Sequence, residues 1–381
     1  MAQDVSNDLA AQVQQAFAEK QALYIAGSGS KLLSGRAISA QPLEVKEHCG
    51  IVEYTPSELV ITARAGTSLQ ELESVLSESG QMLPFEPPHL GEGATLGGTI
   101  ACGLSGPRRP YAGSARDFTL GVKMINGQGE VLSFGGQVMK NVAGYDASRL
   151  MVGAQGTLGV LLDISLKVLP QSACEHTLVM EMDATTAIAV MTQLASVALP
   201  LTGACHLPAT SEQAAQLWLR VSGAEEAVTA AVAFIQKQLQ EQAQKWTQGA
   251  QLTFSEREKK KGDGQAGTFW RDLRERQLPF FTDTDALWRL SLPAATPMFA
   301  EILPGACLLD WGGAQRWLKT GVSADIVQTA AQKMGGHATL FDRHGTTLAP
   351  LSPALAKIHQ QVKMAFDPEG ILNPGRLYEG L

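Results

Sequence analysis

The hydrophobic and polar positions of the first 170 residues follow two different periods. Stretches with apolar residues every three or four positions predict helices, whereas short apolar runs bounded by turn residues predict strands. One helix start is explicit, because Ser68 is a good N-cap and Glu71, three residues later, completes a capping box. The predicted elements are a helix at 9–20, strands at 23–25, 43–45 and 59–63, a helix from Ser68 to Gly80, a hairpin of 120–125 with 131–134, and a strand at 160–168.

The pattern changes after Pro170, where strands and helices begin to alternate. Two such strand–helix–strand halves predict one antiparallel sheet covered by helices, which is an α+β arrangement. A final helix at 354–366 follows, and we divide the chain into 1–170, 171–352 and 353–381. The elements predicted for the middle part are strands at 177–182, 216–221, 287–292, 307–311, 315–318 and 338–341, and helices at 184–196, 224–242, near Met298 and at 324–334.

Composition and charge argue against several classes of protein. With 381 residues, 45% hydrophobic and 18% charged, the chain has the composition of a globular protein rather than of a disordered one. A net charge of −7 argues against nucleic acid as a partner, since nucleic acid requires a basic surface. Asp4 and Asp8 lie where a signal peptide would be apolar, and Pro200 interrupts the longest apolar stretch, 187–201. We therefore expect a cytoplasmic protein without a membrane span.

The five cysteines are scattered and include no Cys-x-x-Cys pair. This spacing predicts a reducing compartment, and it argues against a zinc site or an iron–sulfur cluster built by this chain alone. They are Cys49, Cys102, Cys174, Cys205 and Cys307.

Two glycine-bearing stretches carry the main functional signal, Gly27-Ser28-Gly29-Ser30 and Gly97-Gly98-Thr99. Glycine lets backbone N–H groups turn outward, so loops of this kind cradle phosphate oxygens. A Rossmann loop is excluded because Leu32 stands where a third glycine is needed. A Walker loop is excluded because Lys31 is followed by leucine. Spacing alone leaves two interpretations open, a dinucleotide phosphate site in another fold or simple tight turns.

Taken together, eight segments resemble the vanillyl-alcohol oxidase and p-cresol methylhydroxylase (PCMH) family of flavoproteins. The resemblance covers residues 20–170 and returns at 366–376. The segments are Gly27-Ser28-Gly29-Ser30, Ala65-Gly66-Thr67, Gly93-Ala94-Thr95-Leu96-Gly97-Gly98-Thr99, Gly113-Ser114-Ala115-Arg116-Asp117, Gly144-Tyr145-Asp146, Gly153-Ala154-Gln155-Gly156-Thr157-Leu158-Gly159-Val160, Phe366-Asp367-Pro368 and Asn373-Pro374-Gly375.

The resemblance implies a two-part FAD-binding domain of PCMH type, formed by 1–170 and 353–381, with 171–352 as an α+β antiparallel-sheet cap. Some members of the family attach the flavin through a histidine or cysteine just after the first glycine loop. Ser30-Lys31 occupies that place here, which implies non-covalent FAD. The residues expected to bind FAD are Gly27, Ser28, Gly29, Ser30, Gly97, Gly98, Thr99, Gly103, Ser114, Gly156, Val160 and Asn373.

Within this family, two further stretches resemble the FAD-binding E subunits of bacterial glycolate oxidases. They are Leu104-Ser105-Gly106-Pro107-Arg108-Arg109-Pro110 and Val138-Met139-Lys140-Asn141-Val142-Ala143-Gly144-Tyr145-Asp146. This resemblance implies a complex with a second flavoprotein subunit and an iron–sulfur subunit, which oxidises glycolate to glyoxylate. It also implies a cytoplasmic location, or a peripheral one at the inner membrane through the complex.

Oxidising a small 2-hydroxy acid requires a cation for the carboxylate and a base for the hydroxyl proton. Related dehydrogenases carry a metal-associated His-x-Gly-x-Gly-Asn-x-His motif that is absent here, which argues against independent catalysis. A self-sufficient enzyme acting on D-lactate or another 2-hydroxy acid and a non-catalytic scaffold remain the alternatives. The candidates are Arg108, Arg109 and Arg316 for the carboxylate, and His206, His337, His344 and Tyr145 as base.

Overall fold

The computed structural model separates into two compact units. The described residues are 2–32, 35–136, 146–246, 254–258, 265–282, 286–342 and 345–381. Unit 1 comprises Met1–Gly106, Gly113–Gln171 and His344–Leu381, and unit 2 comprises Pro107–Ala112 and Ser172–Arg343. The functional domains bounded at 170 and 352 stay a prediction.

The two units contain the following helices and strands. The helices are α1 (Ser6–Glu19), α2 (Leu69–Glu78), α3 (Leu96–Cys102), α4 (Arg109–Ala112), α5 (Ala115–Phe118), α6 (Ala147–Leu150), α7 (Ala184–Ala195), α8 (Glu225–Trp246), α9 (Gln265–Arg274), α10 (Ala324–Lys333) and α11 (Pro353–Phe366). The strands are β1 (Leu23–Ala26), β2 (Gln41–Glu44), β3 (Ile51–Thr55), β4 (Val60–Arg64), β5 (Gln81–Met82), β6 (Thr119–Ile125), β7 (Val131–Gly135), β8 (Val160–Lys167), β9 (Leu169–Pro170), β10 (Cys174–Glu181), β11 (Leu201–Leu207), β12 (Gln216–Gly223), β13 (Phe254–Glu258), β14 (Ala286–Ser291), β15 (Ala306–Asp310), β16 (Gln315–Lys319), β17 (His337–Asp342) and β18 (Gly345–Thr347).

Unit 1 is built on an antiparallel sheet with the strand order β3-β4-β8-β6-β7, beside a parallel pair of β1 and β2. The predicted hairpin is present, since β6 and β7 pair with Ile125 opposite Val131. The predicted cap is present too, because the hydroxyl of Ser68 accepts the N–H of Glu71 at 3.1 Å. These local signals could be read from sequence because each is completed within a few residues.

A buried lysine fastens the C-terminal helix of unit 1. The ammonium of Lys363 on α11 donates to the carbonyls of Thr157 and Leu372 at 2.7 Å each, and to Asp367 Oδ2 at 2.6 Å. Burial lowers the pKa of Lys363, and the charge of Asp367 opposes that effect. These bonds hold the segment after α11, which includes Asn373, against the turn at Thr157.

Unit 2 contains one large antiparallel sheet, whose strands follow the order β13-β10-β12-β11-β15-β16-β14-β17. One side, which we call the helical face, packs against α7, α8 and α10 through aliphatic residues such as Leu219 and Leu290. The other side, which we call the aromatic face, gathers Trp218, Trp317 and Phe341 beneath α9. The antiparallel cap predicted from the strand and helix order is confirmed.

Two predicted elements were wrong, and one strand was missed. Gly97 to Thr99 form part of α3 and not a loop, because Thr95 caps the helix and the buried Leu96 and Ile100 hold it in place despite the glycines. No helix forms at Met298, where residues 292–305 lack regular structure. The sequence analysis also missed β11, which is buried along nearly its whole length and so shows no alternation.

Candidate functional site

Two adjoining clefts open in unit 1 beside the end of β1, and we refer to them together as the cleft. The two share seven lining residues and are therefore continuous with one another. The cleft joins stretches that are distant in sequence, since the Ile25–Asn373 hydrogen bond alone spans 348 residues. The residues lining both parts are Ile25, Gly27, Thr95, Gly98, Ala101, Gln155 and Asn373.

The backbone of the first glycine stretch brings unused hydrogen-bond donors to the cleft. Within the described chain, the N–H groups of Gly27, Ser28 and Gly29 donate to no protein acceptor. The N–H of Ser30 reaches only the hydroxyl of Ser28, at 3.5 Å. Gly29 has a φ of +77°, which glycine adopts without strain. Consecutive N–H groups of this kind form a concave surface suited to an anion.

Two buried cations line the same cleft. Lys31 is 7% exposed, and its ammonium donates to the carbonyl of His89 at 3.2 Å. Arg376 donates to the carbonyls of Arg36 and Leu32. Burial lowers the pKa of Arg376, but from so high a value that the group stays charged. Since no carboxylate is found among the described residues that line the cleft, its local charge is positive in a chain whose net charge is −7.

The second glycine stretch shapes the cleft through the surface of a helix. The N–H of Gly97 donates to the carbonyl of Ala65, and those of Gly98 and Thr99 donate to Thr95. A β-carbon on Gly97 would lie 2.7 Å from the β-carbon of Ala65, so this glycine packs α3 closely. A β-carbon on Gly98 would approach only Thr95 Oγ1, at 3.1 Å. Gly98 therefore lines the cleft without filling it.

Asn373 joins three parts of the cleft. Its Oδ1 accepts the N–H of Ile25 at 2.8 Å, and its Nδ2 donates to the carbonyl of Gln155 at 2.6 Å. Gly156 has a φ of +73° and lies so close that a β-carbon would come within 2.6 Å of the same Nδ2. Both residues therefore set the shape of the cleft wall.

Three other predicted cofactor residues have structural roles in the fold itself. Gly103 ends α3 with a φ of +63°. Ser114 caps α5, where its hydroxyl donates to Asp117 Oδ2 at 2.8 Å. Val160 is fully buried in β8 opposite Ile125. Their contact with a cofactor stays a prediction.

The cleft meets the requirements of the predicted cofactor, FAD. A diphosphate carries negative charge and needs hydrogen-bond donors wherever it leaves water. The N–H groups of 27–29 offer the donors, Lys31 and Arg376 offer the charge, and the absent β-carbon of Gly98 leaves room. These are the residues that would hold FAD by its phosphates.

In unit 2, Arg316 does not have the free guanidinium expected of a carboxylate clamp. It is fully buried on β16, where Nε donates to the carbonyl of Gly313 at 3.1 Å and Nη1 to that of Pro297 at 3.0 Å. Its Nη2 donates to the carbonyl of Thr296. Because these donors hold the backbone around Pro297, Arg316 is a structural residue of the helical face.

Arg108 and Arg109 have different surroundings. Arg108 is buried, and its Nη2 lies 3.7 Å from the carboxylate of Glu175. Arg109 is exposed, with its guanidinium 4.4 Å from the ring of Trp311. The first is thus engaged in an ion pair of unit 2, whereas the second keeps its charge at the surface over an aromatic ring.

The candidate bases lie on different faces of the unit 2 sheet. His206 is buried on the helical face with Nε2 3.0 Å from the carbonyl of Met182, and burial lowers its pKa. His337 begins β17, where partial burial and the charge of Arg289 lower its pKa. The remaining candidates, Tyr145 and His344, lie outside the described residues.

The sequence analysis missed three cations, namely Lys31, Arg376 and Arg289. Lys31 follows the glycine stretch 27–30 directly, and Arg376 follows Asn373-Pro374-Gly375, so adjacency to a recognised segment was the available signal. Arg289 lies in an apolar strand without any motif, and its position becomes visible only once β14 is paired.

The described residues lack two features that would suggest other functions. No helix among them is long and apolar enough to cross a bilayer. They contain no group of three or more His, Cys, Asp or Glu side chains placed to hold a metal ion. The five cysteines form no disulfide, and Cys102 lines the cleft.

Two family models match the sequence. Residues 4–135 match the model described as an FAD binding domain, and residues 334–377 match the C-terminal domain of FAD linked oxidases. The predicted cofactor and enzyme class are therefore confirmed, and the chain is an FAD-dependent oxidoreductase.

Solved structures confirm the predicted fold class. An alkyldihydroxyacetonephosphate synthase has a TM-score of 0.70 at 16% identity, over 97% of this chain and 74% of that chain. A p-cresol methylhydroxylase has a TM-score of 0.70 at 12% identity, over 99% of this chain and 88% of that chain. At such identities the likeness shows the PCMH-type fold and nothing more.

Two relatives align along nearly the whole sequence. The D-lactate dehydrogenase of Archaeoglobus fulgidus is 25% identical over 390 residues, covering 94% of this chain and 86% of that one. The glycolate oxidase subunit GlcE of Escherichia coli (strain K12) is 47% identical over 378 residues, covering 99% of both chains. The chain therefore belongs to the family of the glycolate oxidase subunit GlcE.

Proposed function

We propose that this chain is the FAD-binding subunit of a complex that oxidises glycolate to glyoxylate. The end-to-end likeness to GlcE carries the proposal, because 99% of both chains align. The name of that relative denotes a subunit, and we extend it to a complex with a second flavoprotein subunit and an iron–sulfur subunit that receives the electrons. When bound, FAD supplies the acceptor for a hydride.

The role of the chain's own residues in this proposal is to bind and orient the cofactor. The N–H groups of 27–29 donate to the diphosphate, while Lys31 and Arg376 balance its charge. Asn373 keeps the strand end, the 155–156 turn and the C-terminal segment in one arrangement. Because Ser30 and Lys31 occupy the position expected for flavin attachment, we propose that FAD is held without a covalent bond.

The cysteine pattern supports an electron-accepting partner. The five cysteines of the sequence are scattered, so this chain alone has no ligand set for an iron–sulfur cluster. Electrons that arrive on its FAD must therefore leave for another polypeptide or for a diffusible acceptor. The iron–sulfur subunit in our proposal is that polypeptide.

The test compares glycolate-dependent dye reduction by the purified chain and by the complex reconstituted with both partner subunits. We expect the complex to be active and the chain alone to be nearly inactive, because the chain lacks the histidine motif of related dehydrogenases. Acid precipitation should release the flavin into the supernatant. An inactive reconstituted complex with full flavin and iron would overturn the proposal.

A second candidate is a self-sufficient dehydrogenase for D-lactate. The alignment with the Archaeoglobus fulgidus enzyme over 94% of this chain favours it. The same dye assay decides between the two, with D-lactate and glycolate offered separately. Comparable turnover by the chain alone and by the complex would support the self-sufficient enzyme.

A further inference from the structure

One arginine of unit 2, Arg289, has no polar partner among the residues that the structure describes. Arg289 lies on β14, and in the part of the chain that the structure describes its guanidinium forms neither a hydrogen bond nor an ion pair. Its side chain instead lies over the ring of Phe341, with Cζ 5.3 Å from the ring centroid. Because a half-buried guanidinium without an acceptor is unusual in a folded protein, its position favours an anionic ligand.

Strand pairing places Arg289 on the aromatic face. It stands opposite Trp317 of β16 and Thr339 of β17, and side chains opposite one another share a face. The guanidinium of Arg276 also lies over Phe341, at 4.7 Å from its centroid. Arg289 therefore lies against one aromatic ring and opposite a second aromatic residue, where an electrostatic interaction is stronger than in water.

The charges near Arg289 also favour an anion. Burial, and to a smaller extent the positive charge of Arg109, lower the pKa of Arg289 to about 10. Asp310 is on the same face but two strands away, about 10 Å at ordinary strand spacing. Its carboxylate already accepts the N–H of Trp311 at 2.7 Å and the amide of Gln315 at 3.1 Å. It therefore does not neutralise Arg289.

His337 lies close enough to share a small ligand with Arg289. It stands opposite Ser291 on the aromatic face and is thus a diagonal neighbour of Arg289. Residues in this relation are about 7–8 Å apart, and their β-carbons are somewhat closer. The lowered pKa of His337 keeps its imidazole neutral near pH 7, so that one ring nitrogen can accept a hydrogen bond.

We propose that Arg289 binds the carboxylate of a small 2-hydroxy acid on the aromatic face, with His337 accepting a hydrogen bond from the hydroxyl group of that acid. The guanidinium fork matches a carboxylate with two parallel hydrogen bonds, which a spherical anion cannot use. This inference rests on the proposed function, since it locates the carboxylate of the proposed substrate.

The experiment uses the full-length, FAD-loaded chain and two ligands, glycolate and the non-oxidisable dicarboxylate oxalate. Calorimetric titration should show 10- to 100-fold weaker oxalate binding in Arg289→Met, with unchanged flavin content and circular dichroism. Arg289→Lys should recover part of the affinity. Arg271→Met is the matched control, because it removes one exposed positive charge from α9. In the reconstituted complex, Arg289→Met should raise KM for glycolate much more than it changes kcat.

Equal oxalate affinity in the wild-type chain and Arg289→Met, or no oxalate binding by the wild type, would overturn the inference. If Arg289→Met does not fold, Arg289→Gln takes its place with the same expected loss. A measurement on the wild type needs no variant: oxalate should protect Arg289 from modification by phenylglyoxal, read by peptide mass, and chloride should protect it much less. An inactive complex whose oxalate binding still depends on Arg289 would refute the function but not the site.

Discussion

The cleft of unit 1 and the aromatic face of unit 2 both gather positive charge, but from different parts of the chain. In the cleft the ligand-facing donors are backbone N–H groups, and the cations beside them, Lys31 and Arg376, also donate to carbonyls. On the aromatic face the side chain of Arg289 stands over a ring and has no acceptor among the described residues. The cleft thus needs positions without side chains, whereas the aromatic face needs the side chain of Arg289. We therefore expect an added side chain to weaken binding in the cleft, and removal of the Arg289 side chain to weaken binding on the aromatic face.

The largest effect is expected from a side chain added to the cleft. Gly98→Val places a branched side chain beside Thr95 Oγ1, in the space that our proposal gives to the diphosphate. We expect FAD binding to weaken by about 100-fold or more, which corresponds to roughly 2.7 kcal/mol, while the fold remains. Flavin absorbance per protein and circular dichroism measure the two quantities.

Gly321→Val is the control for that substitution. Gly321 lies in unit 2, and a β-carbon there would meet nothing within 4 Å. This variant should keep its flavin. Normal flavin content in Gly98→Val would remove Gly98 from the FAD site and weaken the assignment of the cleft.

The second prediction compares two arginines on paired strands of unit 2. Arg316 stabilises the fold, whereas we propose that Arg289 binds a ligand. Arg316→Met removes a fully buried guanidinium and leaves three backbone carbonyls without their donor, so we expect the free energy of unfolding to fall by about 2–4 kcal/mol. Arg289→Met removes no hydrogen bond to any residue that the structure describes and should cost less than about 0.5 kcal/mol. Urea unfolding of both variants measures the difference. Equal losses would show that Arg289 also stabilises the fold.

This contrast also explains how much the sequence could predict. The glycine stretch 27–30 could be recognised because its residues are contiguous and its chemistry lies in the backbone. The aromatic face could not, because apolar runs predict strands without their order. Only the pairing of β14 with β16 and β17 shows that Arg289 shares a face with His337, while Arg316 lies on the other side.

Local propensity failed at one informative place. Glycines at 97 and 98 predict a loop, since glycine destabilises a helix by about 1 kcal/mol relative to alanine. Tertiary packing overrides that cost, because Thr95 caps α3 and Ile100 is completely buried. The prediction that this stretch borders a phosphate site does not depend on the error, since Gly98 lines the cleft from the helix surface.

The third prediction asks how much the cleft depends on side-chain charge in addition to its backbone. Lys31→Met keeps the length of the side chain but removes a buried positive charge, and we expect about 10-fold weaker FAD binding, or about 1.4 kcal/mol. Lys46→Met removes an exposed charge from the same unit and is the control. Titration of the apo chain with FAD gives both dissociation constants. Identical constants would mean that the backbone N–H groups and Arg376 hold the diphosphate without Lys31.

The smallest effect concerns pH, and it should separate the two regions. Burial lowers the pKa of His206 below its ordinary value of about 6.5, so the unfolded chain takes up a proton there more readily than the folded one. Its contribution to stability is therefore complete above about pH 6.5 and is lost as the pH falls towards the folded pKa. The pKa of His337 is also lowered, so its contribution to stability depends on pH in the same direction.

The measurement is urea unfolding between pH 8 and 5.5. His206→Gln should flatten part of the fall in the free energy of unfolding that the wild type shows as the pH decreases. FAD retention should not follow that slope, because none of the described residues lining the cleft is a histidine. Flavin release in step with the titration of His206 would contradict the separation, since it would couple the cleft to the unit 2 sheet.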